Sequence, residues 1–192
     1  MKKLVCYMMM FFSLCVNAQL KVKVELVIDP SLKNEVYFLK KSIEAANQDL
    51  APVGIILMVE AVDYKRVFYN NADNSLDSLR IDNQTITIGS YSKPYNDNDQ
   101  IGLAYVGAIN TKYSKLVVNI DTTESYDVNG SLIAHEVCHL YGLRHTKDKH
   151  NLMYFKTTTE NLKLNNNQVK YLKNVIKRNY EFSTSSKRII KF

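Results

Sequence analysis

Leu20, Val22, Val24, Leu26 and Ile28 alternate with Lys21, Lys23, Glu25 and Val27. A period of two predicts a half-buried strand. Asp29-Pro30-Ser31 ends that strand and caps the next element. Leu32, Val36, Leu39, Ile43, Ala46 and Leu50 then recur at spacings of four and three, which predicts an amphipathic helix stopped at Pro52 and Gly54. Residues 55–62 form an apolar run of strand length. The chain therefore opens β-α-β, a unit that lays a helix on a sheet.

Beyond this opening, residues 68–84 are rich in Asn, Asp and Ser and read as a loop, as do residues 94–99. A short strand is expected at 85–88, and two more at 101–109 and 115–120. Residues 131–141 read as a helix. A last helix is expected over 165–180, with Val169, Leu172, Ile176 and Tyr180 on one face, followed by a loosely held tail over 181–192. There is no internal repeat and no sign of a second domain.

Composition changes this picture mainly at the start. Lys2 and Lys3 precede an almost unbroken apolar run over residues 4–16, and Val16-Asn17-Ala18 offers small residues for cleavage. Residues 1–18 read as a secretory signal peptide; the run is too short to make a comfortable membrane span. The expected product is extracellular, or periplasmic in a bacterium, with no stable membrane insertion, and is expected to be a monomer. Its 174 residues would carry a net charge of +4, against +6 for the whole chain. With no dense Lys/Arg block, nucleic-acid binding is not expected. Cys6 and Cys15 leave with the signal, so Cys138 can form no internal disulfide. Asn83-Gln84-Thr85 and Asn129-Gly130-Ser131 are glycosylation sequons, meaningful only in a eukaryotic host.

The chemistry is concentrated in His135-Glu136-Val137-Cys138-His139-Leu140-Tyr141-Gly142-Leu143-Arg144-His145, which holds three of the chain's four histidines. On a helix, His135 and His139 share a face one turn apart, so both imidazoles can reach one Zn²⁺. Gly142 can adopt the left-handed conformation that ends a helix and turns the chain. That turn brings His145 back as third ligand and leaves a fourth position for water. Zinc lowers the pKa of such a water to roughly 7, and Glu136 can take its proton and pass it to the leaving amine. Cys138 cannot share the histidines' helix face and is expected to be a small buried residue.

The pattern resembles the metzincin clan of zinc peptidases. Met153, eight residues past His145 in Asn151-Leu152-Met153-Tyr154, resembles the clan's Met-turn, in a form closest to the matrixins. Phe155 stands where some members carry an extra tyrosine ligand, so none is expected. Gly102-Leu103-Ala104-Tyr105-Val106-Gly107 looks like the edge strand of adamalysin-type (reprolysin, ADAM-like) enzymes, which pairs with the bound peptide. Departures are Thr146 where adamalysins carry Asp, and the lack of disulfides.

The resemblance implies an α/β (α+β) zincin fold: a twisted mixed five-stranded sheet with flanking helices, a zinc helix and a small C-terminal lobe. It makes residues 19–192 one catalytic domain, with an upper lobe over 19–141 and a lower lobe over 142–192. It also implies one catalytic Zn²⁺ and an extended polypeptide substrate, with an apolar residue favoured just after the cut. The alternative is a catalytically weak toxin or binding module that keeps the fold. Retention of Glu136 argues against it, because binding alone needs no general base.

Overall fold

The computed structural model describes residues 19–65, 67, 85–91, 102–109, 114–156 and 162–188. The expected signal peptide, the loops at 68–84 and 94–99, and the sequon at Asn83 lie outside them.

Strand β1 (Leu20–Ile28) is followed by a 3₁₀ turn over Pro30–Glu35, which the Asp29 side chain caps by accepting from the Ser31 amide. Helix α1 (Val36–Leu50) comes next, and strand β2 (Ile55–Tyr64) returns parallel to β1. Gly54 makes the turn between them at φ 79°. The Asn47 side chain then pins α1 to β2, donating to the Leu57 carbonyl and accepting from the Leu57 amide. Alternation holds through the first half of β1, but Leu26, Val27 and Ile28 are all buried. This strand lies inside the sheet and is covered on both faces toward its C-terminal end.

Strands β3 (Thr85–Tyr91) and β5 (Lys115–Asn119) extend the sheet in parallel. Strand β4 (Gly102–Ala104) closes it as an antiparallel edge, giving the order β2-β1-β3-β5-β4. The mixed five-stranded sheet is as expected. The strand foreseen over 101–109 is shorter, because Gly107 at φ 73° turns the chain and Gly107 and Ile109 donate to the carbonyls of His139 and Leu140. Residues 105–109 are thereby tied to the end of a helix rather than to the sheet.

That helix, α2, spans Tyr126–Leu140 and begins five residues earlier than its sequence suggests. Ser125 caps it, accepting from the Val128 amide, and Asp127 lies in the first turn. Gly130 allows α2 to press on α1: a Cβ there would stand 2.6 Å from the Ala45 Cβ and 2.8 Å from the Ser42 carbonyl. Asn129, of the second sequon, is buried, and its amide bonds Asp121 and Ser125. A glycan on it is incompatible with this packing.

Helix α3 (Asn166–Arg188) runs eight residues beyond the expected end, through most of the stretch that reads as a loose tail. Its Leu172 joins the core, which runs continuously from the sheet through α1 and α2 to Leu152, Met153 and Leu162.

Candidate metal centre

Eleven of the fifteen residues of α2 are buried, among them His135, Glu136 and His139. Helical spacing stacks the two imidazoles on one face, with ring centroids 4.7 Å apart. The helix ends in a paired hydrogen-bond lock: the Leu143 amide donates to the Cys138 carbonyl and the Gly142 amide to the His139 carbonyl. This is a Schellman termination, with Gly142 in the left-handed position at φ 98°. The reversed chain carries His145 back over the helix face. A side chain at position 142 is also barred by contact, since a Cβ there would lie 2.6 Å from the Tyr171 hydroxyl of α3.

The three Nε2 atoms converge. His135 and His139 are 3.0 Å apart, His139 and His145 3.1 Å, and His135 and His145 3.2 Å. His135 Nδ1 donates to the Leu152 carbonyl at 2.6 Å, and His139 Nδ1 to the Leu143 carbonyl at 2.7 Å. With their protons on Nδ1, these two neutral rings turn bare Nε2 lone pairs toward one another. Such an arrangement repels itself unless a cation lies between the nitrogens. Two zinc bonds of about 2.1 Å at a tetrahedral angle set nitrogens about 3.4 Å apart, close to what is seen. The backbone carbonyls fix tautomer and ring direction as outer partners of metal ligands do. Burial, the largest influence, holds the His135 imidazole down at about 4 and lowers that of His139 as well, favouring the neutral form that binds a metal.

Met153 is fully buried in the segment that supplies the Leu152 carbonyl. Its amide is bonded by the Asn151 side chain, which also reaches Gln168 on α3. Its carbonyl accepts from Thr146, the residue after the third histidine. The turn at Met153, the His145 segment and α3 are thus held as one unit. Cys138 is buried, free, and has its thiol pushed up by that burial; it lies among core residues, as expected.

A cleft of about 480 Å³ opens over the histidines, lined by Gly102, Ala104, Val106, Glu136, His139, Arg144 and His145. Gly102, Ala104 and Val106 are alternate residues, so one side of the edge segment faces the cleft. Leu103 pairs with Val117 in the sheet, Tyr105 is half-buried, and Gly107 lies in the turn. Glu136 packs directly on β4: a Cβ at Gly102 would stand 2.2 Å from its Oε1. Glu136 as a whole is only 4% exposed, and its carboxyl has no hydrogen-bond partner among the described residues. Burial pushes it up to about 8. Two lining features escape a reading of the sequence. Arg144 looks there like an ordinary position between Gly142 and His145, and the contact of Gly102 with Glu136 leaves no sequence signal beyond the glycine itself.

A mixed α/β sheet whose helix presents two histidines to a third beyond a glycine turn defines the class: a zinc metallopeptidase domain, with a single zinc ion as cofactor. The chain belongs to metallo-peptidase family M12B, reprolysin-like, whose profile matches residues 40–146, more than half of the sequence. Among solved structures, its fold is similar to metalloproteinase-II from Bacteroides fragilis (TM-score 0.62, 12% identity, covering 81% of this chain and 53% of that one). It is also similar to archaemetzincin from Methanopyrus kandleri (TM-score 0.60, 16% identity, 82% and 96%). A third likeness is archaemetzincin from Archaeoglobus fulgidus (TM-score 0.54, 15% identity, 79% and 99%). The chain thus spans about half the length of the Bacteroides protein. A sequence search of curated proteins gives no match.

Proposed function

We propose that the protein is a secreted endopeptidase in which Glu136 is the general base and the edge segment at 102–107 holds an extended substrate. The observation that carries this reading is the single cleft shared by Glu136, two of the histidines and one face of β4. When bound at His135, His139 and His145, zinc supplies Lewis acidity, polarising a carbonyl and acidifying a water. Glu136 holds and moves the proton. Its carboxyl lines the cleft and has no hydrogen-bond partner among the described residues, which leaves it available to accept a proton and release it within one turnover.

Strand addition is supported by the position of β4 as the antiparallel edge of the sheet among the described residues. Reading Met153 as the Met-turn is supported by its complete burial and by the carbonyl next to it that orients His135. The adamalysin branch is supported by the Gly102–Gly107 string, and secretion by the basic and apolar pattern of residues 1–18.

The test is cleavage of an unfolded protein by the purified chain and by Glu136→Ala. The variant is expected to keep its zinc and its fold and to lose at least ~10²-fold in rate, the usual worth of a positioned acid–base group. Turnover like the wild type in the variant would assign the base to another residue.

A further inference from the structure

The net charge looks dispersed along the sequence but is segregated between the chain before the glycine turn at 142 and the lower segment after it. Residues 142–192 hold 12 Lys and Arg against three Asp and Glu, whereas residues 1–141 hold 13 against 16. The segment after residue 141, the expected lower lobe, is thus +9 and the rest of the chain −3. Most of these cations are exposed, which is the usual state of surface lysines. Arg144 differs in where it stands. It lines the cleft beside His145, and no carboxylate pairs with it among the described residues. Both its chain neighbours are held. The Leu143 carbonyl takes the His139 Nδ1 proton, and His145 belongs to the ligand cluster. A planar five-donor guanidinium is thus carried at the cleft by an anchored stretch of chain, suited to two-point recognition of a carboxylate.

We infer that Arg144 is a specificity-determining residue that binds a substrate carboxylate, and that the enzyme selects acidic polypeptide segments, drawn to the cleft by the basic lower lobe. This rests on the peptidase reading above. A strand laid along Gly102, Ala104 and Val106 presents alternate side chains to the cleft, so a carboxylate close to the scissile bond comes within reach of the guanidinium. The lobe's field raises the encounter rate with anionic chains in general, and Arg144 discriminates at one position. A nucleic acid or an anionic membrane would engage the basic lobe without needing Arg144. Its place inside the cleft favours a polypeptide.

The experiment uses the purified protein and fluorescent peptides that differ only by Glu or Gln at each position flanking the scissile bond, each with an amidated or a free C-terminus. Wild type is expected to favour Glu over Gln at one position by at least about tenfold in kcat/KM. Arg144→Gln should bring that ratio to about one, and Arg144→Glu should turn it in favour of Gln. Fluorescence anisotropy on Glu136→Ala should show the same Glu-over-Gln ratio in Kd, lost when Arg144→Gln is added. A preference that survives amidation assigns the carboxylate to a side chain; one confined to free termini assigns it to the chain end. Equal kcat/KM and equal Kd across the set would overturn the inference while leaving the peptidase reading intact. So would binding of phosphatidylserine vesicles that Arg144→Gln leaves unchanged alongside an unaltered Glu/Gln ratio. If no peptide and no unfolded protein is cleaved, the peptidase reading fails, and the anisotropy arm still decides whether Arg144 binds a carboxylate.

Discussion

Glu136 pairs two properties that seldom coexist in a stable fold: near-complete burial and no hydrogen-bond partner among the described residues. For the metal-free chain this has a definite sign. Burial raises the folded-state pKa to about 8 from an ordinary 4.5. Through this group the folded state binds more protons than the unfolded state between those values, so its contribution to stability falls as pH rises through that window, opposed in the lower part by His135 and His139, whose lowered values act the other way. Glu136→Gln, neutral throughout, should remove this contribution, so that wild type loses stability relative to the variant as pH rises through the window. Denaturant titrations of metal-free wild type and variant at several pH values between about 4.5 and 8 check it; parallel curves would show that the carboxyl is solvated. At this scale the sequence was most informative about the ligands, because spacings of four and six fix geometry once one helix and one glycine turn are granted. It was silent on Gly102 against Glu136 and on Arg144 facing the cleft, since both depend on where β4 lies, a contact between residues more than thirty positions apart.

At the scale of elements, the end of α2 matters more than its beginning. Gly142 answers two demands at once: a backbone at φ 98° and clearance for Tyr171 from α3. Gly142→Ala should cost about 1–3 kcal/mol, combining left-handed strain with a displaced tyrosine. It should also weaken zinc binding, because the same turn aims His145. Thermal melts with and without a zinc buffer would measure both, and an unchanged melting temperature would mean that the turn relaxes freely. The glycine was legible as a stop signal. The start of the helix was not, because Asn129 and Gly130 are weak helix formers; tertiary packing retains them, one to brace the Asp121 loop and the other to admit α1. The same override shortened β4, where the sequence suggested a longer strand than hydrogen bonding to α2 allows.

At the scale of the whole molecule, a zinc ion held by the three histidines would tie α2 to the chain beyond Gly142. Two ligands come from α2 and one from the segment after Gly142, whose carbonyls and amides run on through Met153 to α3. Chelation should therefore lower the melting temperature by at least about 5 °C at a hundredfold excess of metal over its Kd, in addition to abolishing activity. Calorimetry before and after chelation, with zinc restored, measures it. An unchanged melting temperature with lost activity would mean that α2 and the segment after Gly142 are held by packing alone. The layered architecture was readable from the β-α-β opening and the strand pattern. The extent of α3 was not, because residues 181–188 carry no clear apolar periodicity to announce a helix.

The metal-binding segment from His135 to Met153 is contiguous, with its key hydrogen bonds spanning four to seventeen positions. The sheet instead joins β1 to β3 across about sixty residues. Short loops close cheaply and early, and distant parallel pairings form late. The centre can therefore capture its ion on a half-assembled chain and serve as a nucleus for the rest. Zinc present from the first moment of refolding should speed recovery of native fluorescence, compared with zinc added after the sheet has formed. Identical rates in the two orders of addition would place the centre among the last parts to form.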